Sequence, residues 1–119
     1  MDYRSKKSLH ERKIASQKLL SKYPDKVPII VSKLSKLNPW NDLTKRKFLC
    51  PKELTIAQFI HILRKFLEDI NMNKSIFLTL EQDKLVLPES GAKLSELYEK
   101  YKNEDGFLYA IVYTENVFG

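Results

Sequence analysis

Apolar and polar positions fall into blocks that divide the 119-residue chain into helical and extended stretches. Phe107 to Tyr113 is the longest apolar run, with β-branched and tyrosine residues common in it. Such a run predicts a strand buried on both faces, central in a sheet. Residues 1–22 are polar and basic, with Leu9, Ile14, Leu19 and Leu20 spread along them. They predict one or two weakly amphipathic helices on the outside of the domain, ending at Tyr23-Pro24-Asp25 because proline cannot continue a helix.

Lys26 to Lys33 reads as the first strand, and Pro28 within it cannot donate a ladder bond. Leu34 to Asn41 reads as a loop that carries the single tryptophan, Trp40, expected to be partly buried. Lys45 to Pro51 reads as a second strand that opens on three cations. Those cations fit an edge strand, either as a guard against unwanted pairing or as a selector for a peptide with acidic flanks. Thr55 opens the clearest helix: Thr55-x-x-Gln58 is a capping box, and Leu54 with Phe59 forms a hydrophobic staple. Ile56, Phe59, Ile60, Leu63 and Leu67 recur at helical spacing as a core stripe. Ile62 and Phe66 widen it, which fits either broad burial or a shallow groove beside the edge strand.

Ser75 to Leu80 reads as a third strand, Glu81 to Lys84 as a turn, and Leu85 to Leu87 as a short strand stopped by Pro88. Ser90-Gly91 leads into a helix marked by Leu94, Leu97, Tyr98 and Tyr101, and Asn103 to Gly106 turns into the last strand. The order after the arm is β-β-α-β-(β)-α-β. It predicts an α+β, β-grasp architecture with two additional N-terminal helices. One domain is expected over 1–119, with an arm at 1–24, a core at 25–114 and a flexible tail at 115–119.

Charge sharpens the picture. Residues 1–52 hold 14 Lys/Arg against 4 Asp/Glu, a balance of +10, whereas residues 53–119 hold 7 against 11, a balance of −4. A basic front half fits either an acidic partner or a solvated face. No aromatic–basic signature accompanies it, which ranks nucleic acid low. No signal peptide or long apolar run is present, and the lone Cys50 excludes an internal disulfide or zinc cluster, so a cytosolic setting is expected. His10 and His61 lack the spacing of a metal site or catalytic triad, three glycines form no phosphate loop, and Cys50 reads as a small apolar residue. Neither an enzyme nor a cofactor is expected.

A central strand running into a short tail that ends in glycine is the layout of a ubiquitin-like modifier. The resemblance becomes specific in several blocks: Lys22 to Val31, Lys47 to Pro51 followed by Leu54-Thr55, Gln58-Phe59, Glu104 to Tyr109, and Phe118-Gly119. From about residue 9 to the end, the chain resembles the autophagy-related protein 8 family. That family includes the microtubule-associated light chains and the GABA-receptor-associated proteins.

The resemblance implies conjugation through Gly119 to the amine of phosphatidylethanolamine, driven by activating and conjugating enzymes that own the reactive cysteines. It places the protein in the cytoplasm and, after lipidation, on autophagosomes and related vesicle membranes. Relatives with residues beyond the glycine need a protease; ending at Gly119, this chain is expected to need none. The resemblance also implies capture of aromatic-x-x-aliphatic peptides from receptors and adaptors, added as a strand to the second-strand edge. The first pocket would be Leu19, Pro28, Ile30, Lys47, Leu49 and Phe107. The second would be Phe48, Cys50, Pro51, Leu54, Phe59 and Ile62, with Lys45 and Arg46 as a basic rim. Burying one aromatic removes ~150–250 Å² from water, roughly 4–6 kcal/mol before ordering costs, which points to micromolar binding. Phe66 stands where relatives usually carry a basic residue, and Ala15 where some carry an acid. The first should enlarge the apolar floor and relax selection for acidic flanks. The second removes a partner for a basic flank. Two alternatives are a protein-to-protein modifier related to autophagy-related protein 12, and an unconjugated interaction domain that binds microtubules through the basic arm.

Overall fold

A computed structural model describes residues 3–33, 46–66, 75–82 and 84–114. Its elements are α1 (Tyr3–Lys6), α2 (Leu9–Lys22), β1 (Lys26–Lys33), β2 (Lys47–Pro51), α3 (Ile56–Arg64), β3 (Ile76–Glu81), β4 (Leu85–Val86), α4 (Leu94–Tyr101) and β5 (Leu108–Thr114). The five strands form one mixed sheet in the order β2-β1-β5-β3-β4. β5 runs parallel to β1 and antiparallel to β3, and β2 and β4 pair antiparallel at the two ends. This is a ubiquitin-like fold preceded by two helices.

Alternation sorts the side chains between two layers. Val27, Ile29, Val31, Phe48, Cys50, Leu108, Ala110 and Val112 face the main core, which α3 closes with Ile56, Phe59 and Leu63. Ile30, Phe107 and Tyr109 face the opposite side, where Tyr3, Ala15 and Leu19 of the N-terminal helices pack on them. Covering on both sides is why the run from Phe107 carries no polar position until Thr114.

Both long helix starts are capped. Thr55 Oγ1 accepts from the Gln58 N–H at 3.3 Å, and Gln58 Oε1 accepts from the Thr55 N–H at 2.9 Å. A second capping box, absent from the sequence-based expectation, starts α2. Ser8 Oγ accepts from the Glu11 N–H at 3.1 Å and Glu11 Oε1 accepts from the Ser8 N–H at 3.1 Å. It separates α1 from α2, because the Ser8 backbone is extended. α2 ends before Tyr23-Pro24 as expected.

Boundaries shift elsewhere. β3 begins at Ile76 and extends to Glu81, and β4 stops at Val86 without Leu87. α4 starts at Leu94, since Glu89 to Ala92 forms a turn with the Ala92 N–H on the Glu89 carbonyl at 3.1 Å. The stretch around Trp40, the position of Leu67 and Asp83 of the 81–84 turn lie outside the described residues.

Candidate functional site

Among the described residues, β2 is the terminal strand of the sheet, bonded to β1 on one side only. Its parity decides what it shows to each face. Phe48 and Cys50 point into the main core, while Lys47 and Leu49 lie on the face that α2 covers. Leu49 is the register partner of Pro28, and Lys47 that of Ile30.

The first residue set is therefore brought together. Leu19, Ile30 and Phe107 belong to one cluster, and Lys47 and Leu49 sit across from Ile30 and Pro28 on the same face. Pro28 is buried and Leu49 is half-buried. The second set divides. Phe59 is 0% exposed, and Phe48 and Cys50 are buried beside it in the main core. Phe59 can only back a pocket here, and a ligand would first meet exposed Pro51 and half-buried Leu54 and Ile62. Phe66 does not stand as an open floor. It packs edge-on against Phe48, with ring centroids 5.4 Å apart, and Phe59 does the same at 5.6 Å. Arg46 is half-buried just before β2, and its carbonyl accepts from the Val31 N–H at 2.8 Å. Lys45 and Gly119 lie outside the described residues.

Sequence reasoning missed the group that fixes α2 over the sheet. Asp105 is 1% exposed. Its Oδ2 accepts from Arg12 Nη1 at 2.6 Å and from the Tyr109 hydroxyl at 2.5 Å, and its Oδ1 accepts from the Phe107 N–H at 2.8 Å. Ser16, buried on α2, donates to the Asp105 carbonyl at 2.5 Å. Gly106 follows at φ +93°, and a Cβ there would collide with Ser16 Oγ, so glycine answers both the backbone and the close approach. A turn sequence of Asn103-Glu104-Asp105-Gly106 signals the bend but not its two partners on α2, which lie 89 and 93 residues away from Asp105.

Burial pushes the Tyr109 phenol well above its ordinary value of 10.0, and its bond to Asp105 adds to the shift. The folded state thus keeps the proton after the unfolded chain has lost it. Stability from this group is complete below about pH 10 and falls as pH rises beyond it. Urea midpoints for the wild type and Tyr109→Phe should converge above about pH 10; a constant gap would contradict the assignment.

No group of His, Cys, Asp and Glu among the described residues could hold a metal ion. Nor is any described helix long and apolar enough to cross a membrane.

The five-stranded sheet, the helix beneath it and the two preceding helices define the ubiquitin-like class. The family model described as Autophagy protein Atg8 ubiquitin like matches residues 11–119, so the chain belongs to the Atg8 family. It is 38% identical to Autophagy-related protein 8 of Schizosaccharomyces pombe over 112 residues, 94% of this chain and 88% of that one. Identity to Autophagy-related protein 8e of Arabidopsis thaliana is 39% over 109 residues, 92% of this chain and 85% of the other. The crystal structure of Trypanosoma brucei ATG8 superposes with a TM-score of 0.84 at 31% identity, covering 97% of this chain and 95% of that chain.

Proposed function

We propose that this Atg8-family protein is a modifier rather than a catalyst, joined through the carboxylate of Gly119 to phosphatidylethanolamine. An activating enzyme adenylates the carboxylate, a thioester carries it to a conjugating enzyme, and the lipid amine displaces the thiol to form an amide. Glycine suits the narrow sites this requires, having no Cβ. The product carries two acyl chains; one alone binds membranes with an association constant of only about 10⁴ M⁻¹. The protein would then pass from the cytoplasm to autophagosomal and related vesicle membranes. There the outer edge of β2 captures aromatic-x-x-aliphatic segments of receptors and adaptors. The aromatic would enter beside Leu19, Ile30, Lys47, Leu49 and Phe107, and the aliphatic beside Pro51, Leu54 and Ile62.

The observation that carries this reading is the one-sided pairing of β2 among the described residues, with those residues lining its two faces and their surroundings, in a chain of this family. Incubation with cognate activating and conjugating enzymes, ATP and phosphatidylethanolamine liposomes is expected to add the mass of one lipid. Gly119→Ala should abolish the adduct. A protein-sized adduct would point to protein targets instead, and no adduct would refute conjugation.

A further inference from the structure

Tyr3 has no place in the capture reading, yet it sits among the residues of the first pocket. Its ring meets Phe107 edge-on, with centroids 5.6 Å apart and planes at 81°. The Lys47 ammonium lies 4.3 Å from the centre of the same ring. Tyr3 also packs on the cluster of Ile30, Phe107 and Tyr109 alongside Leu19. Two of the six residues assigned to receive an incoming aromatic, Phe107 and Lys47, thus already meet one, and two more, Ile30 and Leu19, belong to the layer on which it packs. We infer that Tyr3 is an internal occupant of the aromatic pocket, and that a captured peptide must displace it.

The inference rests on the capture reading and adds a regulation to it. The geometry also defines what the pocket prefers. A ring bound there presents its face to a cation and its edge to a phenylalanine, an arrangement that favours Trp and Tyr over an aliphatic side chain. Tyr3 is held from outside the pocket as well. Arg4, the next residue, pairs with Glu81 at the end of β3, and its guanidinium lies 4.4 Å from the centre of the Tyr109 ring. α1 itself is four residues long, and none of its residues is buried. A helix that short has little stability of its own, so its docking depends on Tyr3 and Arg4. Lifting it away uncovers the pocket without disturbing the sheet or α2, which has its own cap at Ser8 and its own bonds to Asp105.

Occlusion lowers apparent affinity by the fraction of molecules that are open. A pocket closed about 70–90% of the time binds about three- to tenfold more weakly than an open one. Affinity of a fluorescein-labelled tryptophan-x-x-leucine peptide should be measured by anisotropy on the full chain, Tyr3→Ala and Glu81→Gln. Circular dichroism would confirm that each is folded. Glu81 lies outside the groove, so Glu81→Gln loosens the latch without removing apolar surface from the pocket. Both variants are expected to bind about three- to tenfold more tightly than the wild type. If all three bind equally, or if Tyr3→Ala binds more weakly, Tyr3 is a wall rather than an occupant and the inference fails while capture stands. If none of the folded proteins binds the peptide, the capture reading fails and takes the inference with it.

Discussion

Asp105→Ala is expected to lower unfolding stability by about 3–5 kcal/mol, because it strands a partly buried guanidinium and two further donors. The Arg12 side chain keeps only 12% of its surface, and the carboxylate it faces keeps none. Removing the acid leaves that cation with neither its counter-ion nor full hydration. The Tyr109 hydroxyl and the Phe107 N–H lose their acceptors in the same step. A buried donor left unmade costs about 1–3 kcal/mol, more than an average hydrogen bond contributes. Asp105→Asn should fall between wild type and Asp105→Ala, since its amide oxygen can still accept from one neighbour. Ser16→Ala removes one hydroxyl donor, which lies 2.5 Å from the Asp105 carbonyl and 3.1 Å from the Lys13 carbonyl, and should cost about 0.5–1.5 kcal/mol. Urea unfolding followed by far-UV circular dichroism measures all three. An Asp105→Ala midpoint equal to the wild type would show that the cluster does not hold the helix. The consequence reaches the groove, because α2 supplies Leu19 and Ala15 to the layer beneath it. A loosened α2 would also weaken peptide capture, though no ligand touches Asp105.

How far the chain announced this structure differs from element to element. β5 was legible because a central strand covered on both faces tolerates no polar interruption, and Phe107 to Tyr113 has none. The start of α3 was legible because Thr55 and Gln58 form a reciprocal cap within four residues. Ser8 and Glu11 carry the same signal, and reading it would have divided the arm into α1 and α2. The depth of each pocket residue was not legible from resemblance. Strand parity puts Phe48 and Cys50 toward α3, and Phe59 meets them there, so three members of the second set became core. The Asp105 cluster was out of reach for another reason. Its carboxylate has local donors in the Phe107 N–H and the Tyr109 hydroxyl, but its charge partner is Arg12 on a helix at the far end of the chain, and no local pattern encodes that meeting. Tyr3 was missed similarly, since its partners, Phe107 just before β5 and Lys47 on β2, lie far from it in the sequence.

Leu49→Ala is expected to weaken aromatic-x-x-aliphatic peptides about tenfold or more while leaving the fold nearly unchanged. The asymmetry follows from where the side chain stands. Leu49 is half-buried on the outermost strand, directly across from Pro28, and so offers surface that a bound ring could cover. Truncating a contact that a ligand buries fully costs about 1–3 kcal/mol, and 1.4 kcal/mol is tenfold in affinity. Its neighbours would give an ambiguous answer. Phe48→Ala and Phe59→Ala would open the main core at about 3–5 kcal/mol each, so lost binding could reflect unfolding. Leu49 separates the two effects because folding makes less use of it. The main-chain part of capture can be tested from the ligand side. N-methylating the peptide amides that face β2 removes donors from the added strand and should weaken binding to wild type and Leu49→Ala alike. Calorimetric titration that finds equal affinity for Leu49→Ala and wild type would remove the groove assignment. Equal affinity for methylated and unmethylated peptides would remove strand addition as the mode.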